Sequence, residues 1–82
     1  METNEIQQLL ADAPENTYLI LRYFFKTDAL TYTLTLVKVE QDAWKIHRAD
    51  QAVKLHTNWI IADTLCNLHG SSDVSDVTWQ LS

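Results

Sequence analysis

Leu30-Thr31-Tyr32-Thr33-Leu34-Thr35-Leu36-Val37-Lys38-Val39-Glu40 is the stretch on which the fold turns. Leu30, Tyr32, Leu34 and Leu36 alternate with Thr31, Thr33 and Thr35. Successive side chains of an extended chain point to opposite faces, so strict alternation marks a half-buried strand. At Leu36–Val37 the phase slips: Val37 and Val39 are apolar, Lys38 and Glu40 polar. A β-bulge there keeps both halves facing a core. A simple twist at the sheet end is the alternative.

Upstream, Thr17 to Lys26 is rich in aromatic and branched residues and reads as a second strand. One face carries Leu19, Leu21, Tyr23 and Phe25, the other Tyr18, Ile20, Arg22 and Phe24. Two largely apolar faces place this strand in the centre of a sheet or under cover on both sides. Thr27-Asp28-Ala29 joins the two strands as a hairpin loop, with Asp28 suited to a turn. Downstream, Gln41-Asp42-Ala43 turns the chain. Trp44 and Ile46 then alternate with Lys45 and His47 in a short edge strand, where lysine discourages further pairing.

Helices flank this meander. Ile6, Leu9, Leu10 and Ala13 make one helical stripe, with Asn4 as the expected N-cap. Pro14 forces Ala13 out of helical geometry and stops it. From Asp50 to His69 the pattern predicts one long helix, capped by Asp50 and ended by Gly70, with Ala52, Leu55, Trp59, Ala62 and Cys66 as its main stripe. The competing reading makes Ala52 to His56 a fourth strand and lets Thr57 cap a shorter helix from Asn58. Val77, Trp79 and Leu81 then alternate with Thr78 and Gln80 as a last strand or docked tail. The fold class expected is α+β, a single domain over residues 1–82 with helices on one sheet face. Leu19, Leu21, Tyr32, Leu34, Trp44, Ile46, Leu55, Trp59 and Ala62 are the expected core.

Composition bounds the function. The chain has 82 residues, 46% of them apolar, with one glycine, one proline and one cysteine. That is too apolar for disorder, and the lone Cys66 cannot form an internal disulfide, which predicts a reducing, cytoplasmic setting. The acidic start, Met1-Glu2-Thr3-Asn4-Glu5, does not read as a signal peptide, and no apolar run approaches the ~20 residues of a membrane span. The net charge of −5 is uneven. Residues 1–21 carry four acids and no bases, residues 22–54 six bases and four acids, residues 55–82 three acids and no bases. Such acidity argues against a nucleic-acid binder, whose affinity rests on neutralising phosphates.

No catalytic constellation emerges, so no enzyme, cofactor or metal is expected. Cys66 and His69 have ligand spacing, but a zinc site needs three or four ligands, and only His47 and His56 remain as candidates. Cys66 also lies on an apolar stripe, where thiols are packing groups rather than nucleophiles. Phosphate-cradling motifs need glycines, and Gly70 stands alone at a helix end.

Two features point to binding. Val53, Ile60, Ile61 and Leu68 give the long helix more apolar surface than one small sheet can cover, and exposed apolar surface marks interaction sites. The second sheet face brings Tyr18, Arg22 and Phe24 near Thr31, Thr33, Thr35, Lys45 and His47, a mixture that can stack on and neutralise single-stranded nucleic acid unless a helix or the C-terminal segment covers it. In size, charge and element order the chain resembles the small acidic inhibitors that phages and mobile elements use against host defence or DNA-handling enzymes, anti-CRISPR proteins among them. That resemblance implies a non-catalytic protein-binding module presenting Glu2, Glu5, Asp12 and Glu15, with Asp73 and Asp76, to a basic partner. A homo-oligomeric accessory subunit is the alternative, and a weak single-stranded nucleic-acid binder the second.

Overall fold

The computed structural model describes residues 2–48 and 55–82. Its centre is the hairpin of β1 (Tyr18–Phe25) and β2 (Leu30–Glu40), paired antiparallel from Tyr18↔Val37 to Phe25↔Leu30 without a break. β3 (Ala43–Ile46) adds beside β2, and the C-terminal segment forms a full strand, β4 (Val74–Leu81), beside β1. The sheet order is β3-β2-β1-β4, antiparallel throughout. With α1 (Thr3–Asp12) and α2 (Asn58–Gly70) the class is α+β, as expected.

The unbroken β1–β2 register removes the bulge expected at Leu36–Val37. Lys38 simply keeps the alternation and enters the core side with Leu36, at 1% exposure. Its Nζ donates to the carbonyls of Leu10 (2.7 Å), Ala11 (3.0 Å) and Ala13 (2.7 Å), and lies 5.9 Å from the centre of the Trp44 ring. The last carbonyls of a helix have no partner of their own, and Pro14 prevents the chain from continuing to supply one. A buried ammonium at the negative end of the α1 dipole fills that role. The lysine therefore binds α1 to the sheet. Irregular pairing occurs elsewhere: between Lys38 and Glu40 against β3, and in β4 opposite Tyr23, where Asp76 takes a φ of 54°.

α1 ends where Pro14 dictates, with Ala13 extended at ψ 137°. Its start differs from expectation. Glu2, not Asn4, is the N-cap, and the Glu5 carboxylate accepts the Glu2 N–H at 3.3 Å. A carboxylate at the third helical position reaching back to the cap outweighs the intrinsic preference for asparagine.

α2 also starts later than the long helix predicted from Asp50. Thr57 caps it, its hydroxyl accepting the Ile60 N–H at 3.2 Å, and the Asp42 carboxylate accepts the Asn58 N–H at 2.7 Å. His56 exchanges two 2.8 Å backbone bonds with Trp44 and so belongs to the sheet edge, as the competing reading has it. Residues 50–54 of the expected helix lie outside the described residues. The later start rotates the buried stripe to Asn58, Ile61, Ala62 and Leu65. Leu55 and Trp59, expected in the core, are instead 48% and 51% exposed. Tyr32 is also exposed, because the hairpin end of the sheet runs on past the helices.

Ile6 and Leu10 of α1, Leu19 and Leu21 of β1, Leu36, Trp44, Ile61, Ala62 and Leu65 form the core, with Leu34 and Ile46 half-buried against it. Besides Lys38, the polar side chain of Asn58 is built into this core. Its Oδ1 accepts Trp44 Nε1–H at 2.7 Å and its Nδ2 donates to the Gln41 carbonyl at 3.2 Å. Among the described residues no buried side-chain nitrogen or oxygen lacks a partner.

Candidate interaction surfaces

The start of α2 is held rigidly. Asn58 is bonded through its backbone to Asp42 and through its side chain to Trp44 and Gln41. The next residue, Trp59, turns outward, and Ile60 follows at 41% exposure. Ile60 and Thr64 overhang an apolar groove of about 100 Å³ whose floor is Leu34, Leu36 and Ile46 of the sheet. Trp59 shares its flank with Cys66, seven residues on, which accepts a hydrogen bond from the Thr3 hydroxyl at 3.3 Å. Trp59 therefore lies on the side of α2 that faces α1.

These positions separate the residues that sequence reasoning grouped together. Ile60 is on the surface. Ile61 is 5% exposed and is core, whereas Leu68 is half-buried against it, so Ile61 supplies no free apolar surface and Leu68 only part of its own. Val53 lies outside the described residues. The acids divide as well. Glu2 and Glu5 sit at the α1 end near Cys66, whereas Asp12 and Glu15 sit at the end that Lys38 ties to Trp44 and hence to Asn58. Helix α1 spans roughly 15 Å, so the four acids are not one patch. Asp73 and Asp76 flank the start of β4.

The second sheet face is open among the described residues, because both helices pack on the other side and β4 joins the sheet edge instead of crossing it. Register sets its rows: Thr35, Ile20 and Gln80; Thr33, Arg22 and Thr78; Thr31, Phe24 and Ser75. Lys45 pairs beside Val37, and His47 donates its N–H to the Thr35 carbonyl at 2.8 Å. The Tyr18 and His47 rings meet edge to face at 5.1 Å. No Asp or Glu stands in these rows.

Cys66 and His69 border one cavity with Ile6 and Trp79. Among the described residues no three His, Cys, Asp or Glu side chains gather as metal ligands. No described helix is long and apolar enough to cross a membrane. The exposure of Trp59 was missed because its stripe was phased from Asp50. Thr57 followed by Asn58, two good capping residues, was the signal that places the helix start correctly. In comparisons with known proteins, no family model matches the chain, and no curated protein or solved structure shows significant similarity.

Proposed function

We propose that this chain is a non-catalytic protein-binding module that docks through the outer surface at the start of α2. The observation that carries the reading is Trp59, half-exposed and followed by exposed Ile60, on a helix end pinned by three hydrogen bonds that Asn58 makes, with Leu55 also exposed just before the helix. Tryptophan is enriched among the residues that dominate binding energy, and a rigid mount lowers the ordering cost of association. Asp12 and Glu15 stand at the same end, which favours a basic rim on the partner and faster encounter at low salt. An inhibitor of a DNA-handling or defence protein fits that chemistry, since such proteins carry basic surfaces for phosphates. Replacing Trp59 and Ile60 together by serine tests the reading. Partner binding is lost while the fold is kept; retention of binding by the folded double variant refutes it.

A symmetric interface is the same surface meeting a second copy. Light scattering separates the two: a wild-type dimer that the double variant converts to monomer assigns the surface to self-association.

A second reading has its own observation, the open sheet face with Arg22, Lys45 and His47 among aromatics and hydroxyls. The sequence argued against nucleic acid from the acidic charge and left open that a helix or the C-terminal segment covers this face; neither does so among the described residues. Arg22 and Lys45 neutralise about two phosphates, so affinity for a single strand is weak and falls with salt at a log–log slope of roughly −1.5. Absence of oligonucleotide binding at low salt eliminates it.

A further inference from the structure

At the hairpin end of the sheet, far from Trp59, the core face continues beyond the helices as a cluster of rings. Tyr23 and Tyr32 stack with centroids 5.6 Å apart at 25°, and Phe25 meets Tyr32 edge-on at 6.3 Å. These three rings, with Leu68 and Val74, line an open groove of about 340 Å³ whose rim carries Asp28, Asp73 and Ser71. The Tyr32 hydroxyl donates to Asp28 Oδ2 at 2.8 Å, which fixes both ring and carboxylate. The α2 helix ends here at Gly70, so its negative pole points toward the same groove.

Each of these features favours a positive ligand. Aromatic faces attract cations, carboxylates pair with them, and a helix C-terminus adds a partial negative charge. Of the bases nearby, His69 borders the cavity with Ile6, Cys66 and Trp79, and Lys26, in the turn after β1, donates its backbone N–H to the Asp73 carbonyl at 2.9 Å. Asp28 also raises the Tyr32 pKa, chiefly through the hydrogen bond, as a negative setting should.

We propose that this groove receives the guanidinium of an arginine side chain presented by a partner protein. A planar guanidinium stacks on a tyrosine face while donating in-plane bonds to a carboxylate at its edge, a combination that lysine's compact ammonium does not reproduce. The site is separate from the Trp59 surface, at the other end of α2, so either can fail without the other.

The test is an NMR titration of the ¹⁵N-labelled protein with N-acetyl-arginine methylamide. The citrulline counterpart serves as an uncharged isostere, and tetramethylammonium as a free cation without planar donors. Arginine should shift residues around Tyr23, Phe25, Asp28, Tyr32 and Asp73 with a dissociation constant of about millimolar order, and citrulline should not. Asp28→Asn with Asp73→Asn, or Tyr32→Leu, should weaken arginine about threefold to tenfold, whereas Tyr32→Phe, which keeps the ring, should stay close to wild type. The same spectra report whether each variant is folded. No shifts at these residues, equal shifts from citrulline, or tighter binding of tetramethylammonium than of arginine would each overturn the proposal.

Discussion

Replacing Lys38 by methionine isolates the contact that ties α1 to the sheet. Methionine keeps most of the apolar stem and removes the ammonium, leaving the carbonyls of Leu10, Ala11 and Ala13 without their donor. The Leu10 bond is buried and the other two are partly so. One buried carbonyl without a partner costs about 1–3 kcal/mol, and the two partly exposed ones recover some hydration and cost about 0.5 kcal/mol each. Relief of the ammonium's desolvation offsets part of this, so the expected net loss is about 1–3 kcal/mol. For a chain this short, total stability is about 4–12 kcal/mol, so the change lowers the melting temperature by roughly 5–20 °C. Urea denaturation followed by circular dichroism reads the loss. Hydrogen exchange locates it, with α1 amides losing more protection than those of β1. Lys45→Met on the open face is the control, expected within about 0.5 kcal/mol of wild type. A Lys38→Met protein as stable as wild type, with α1 still protected, would refute the reasoning.

Other substitutions probe independent parts of the account. Asn58→Ala strands the indole N–H of buried Trp44 and should cost about 2–3 kcal/mol by denaturation, whereas Trp59→Ser, one residue on, should cost under about 1 kcal/mol. Ala29 adopts a left-handed φ of 53° in the β1–β2 loop, so Ala29→Gly should stabilise by about 1 kcal/mol in the same assay. Tyr32 has its pKa raised above the ordinary 10.0, first by the Asp28 hydrogen bond, then by desolvation and charge. The native state therefore holds that proton more tightly than the unfolded chain. Its contribution to stability is complete below pH 10 and is lost as pH rises through the raised value. Ultraviolet titration of tyrosinate should show Tyr32 ionising late, identified by its loss in Tyr32→Phe, and Asp28→Asn should bring it back toward the ordinary value.

Much of the fold was legible because alternation and Pro14 are strong local signals. The Thr17–Lys26 and Leu30–Glu40 strands, the end of α1 and the central place of β1 follow from side-chain period and the chemistry of proline. What stayed hidden depends on contacts distant in sequence. A lysine in phase with core leucines reads as a break in the pattern, since nothing local shows that three helix carbonyls 25 to 28 residues away will receive it. The α2 start was hidden for a related reason. Asp50 and Thr57 both suit a cap, and Asp42 together with the Trp44–His56 pairing decides between them through the tertiary fold. The interaction surface inherited that error, because rotating the stripe exchanged Trp59 and Ile61 between surface and core. The groove at Tyr23, Phe25 and Tyr32 was also unreadable, since the strand pattern puts Tyr23 and Phe25 on the face of Leu19 and Leu21 and Tyr32 in the core, and how far the helices reach along that face is set by tertiary packing.

The central claim, that the start of α2 is a protein-docking surface, is tested most directly by paired capture from lysate of the source cells. The baits are the wild-type chain and the folded Trp59→Ser, Ile60→Ser variant, each with and without nuclease. The account predicts a stoichiometric protein held by the wild type through nuclease treatment and absent from the variant. The same protein retained by the variant, or recovery only of nuclease-sensitive material, would contradict it.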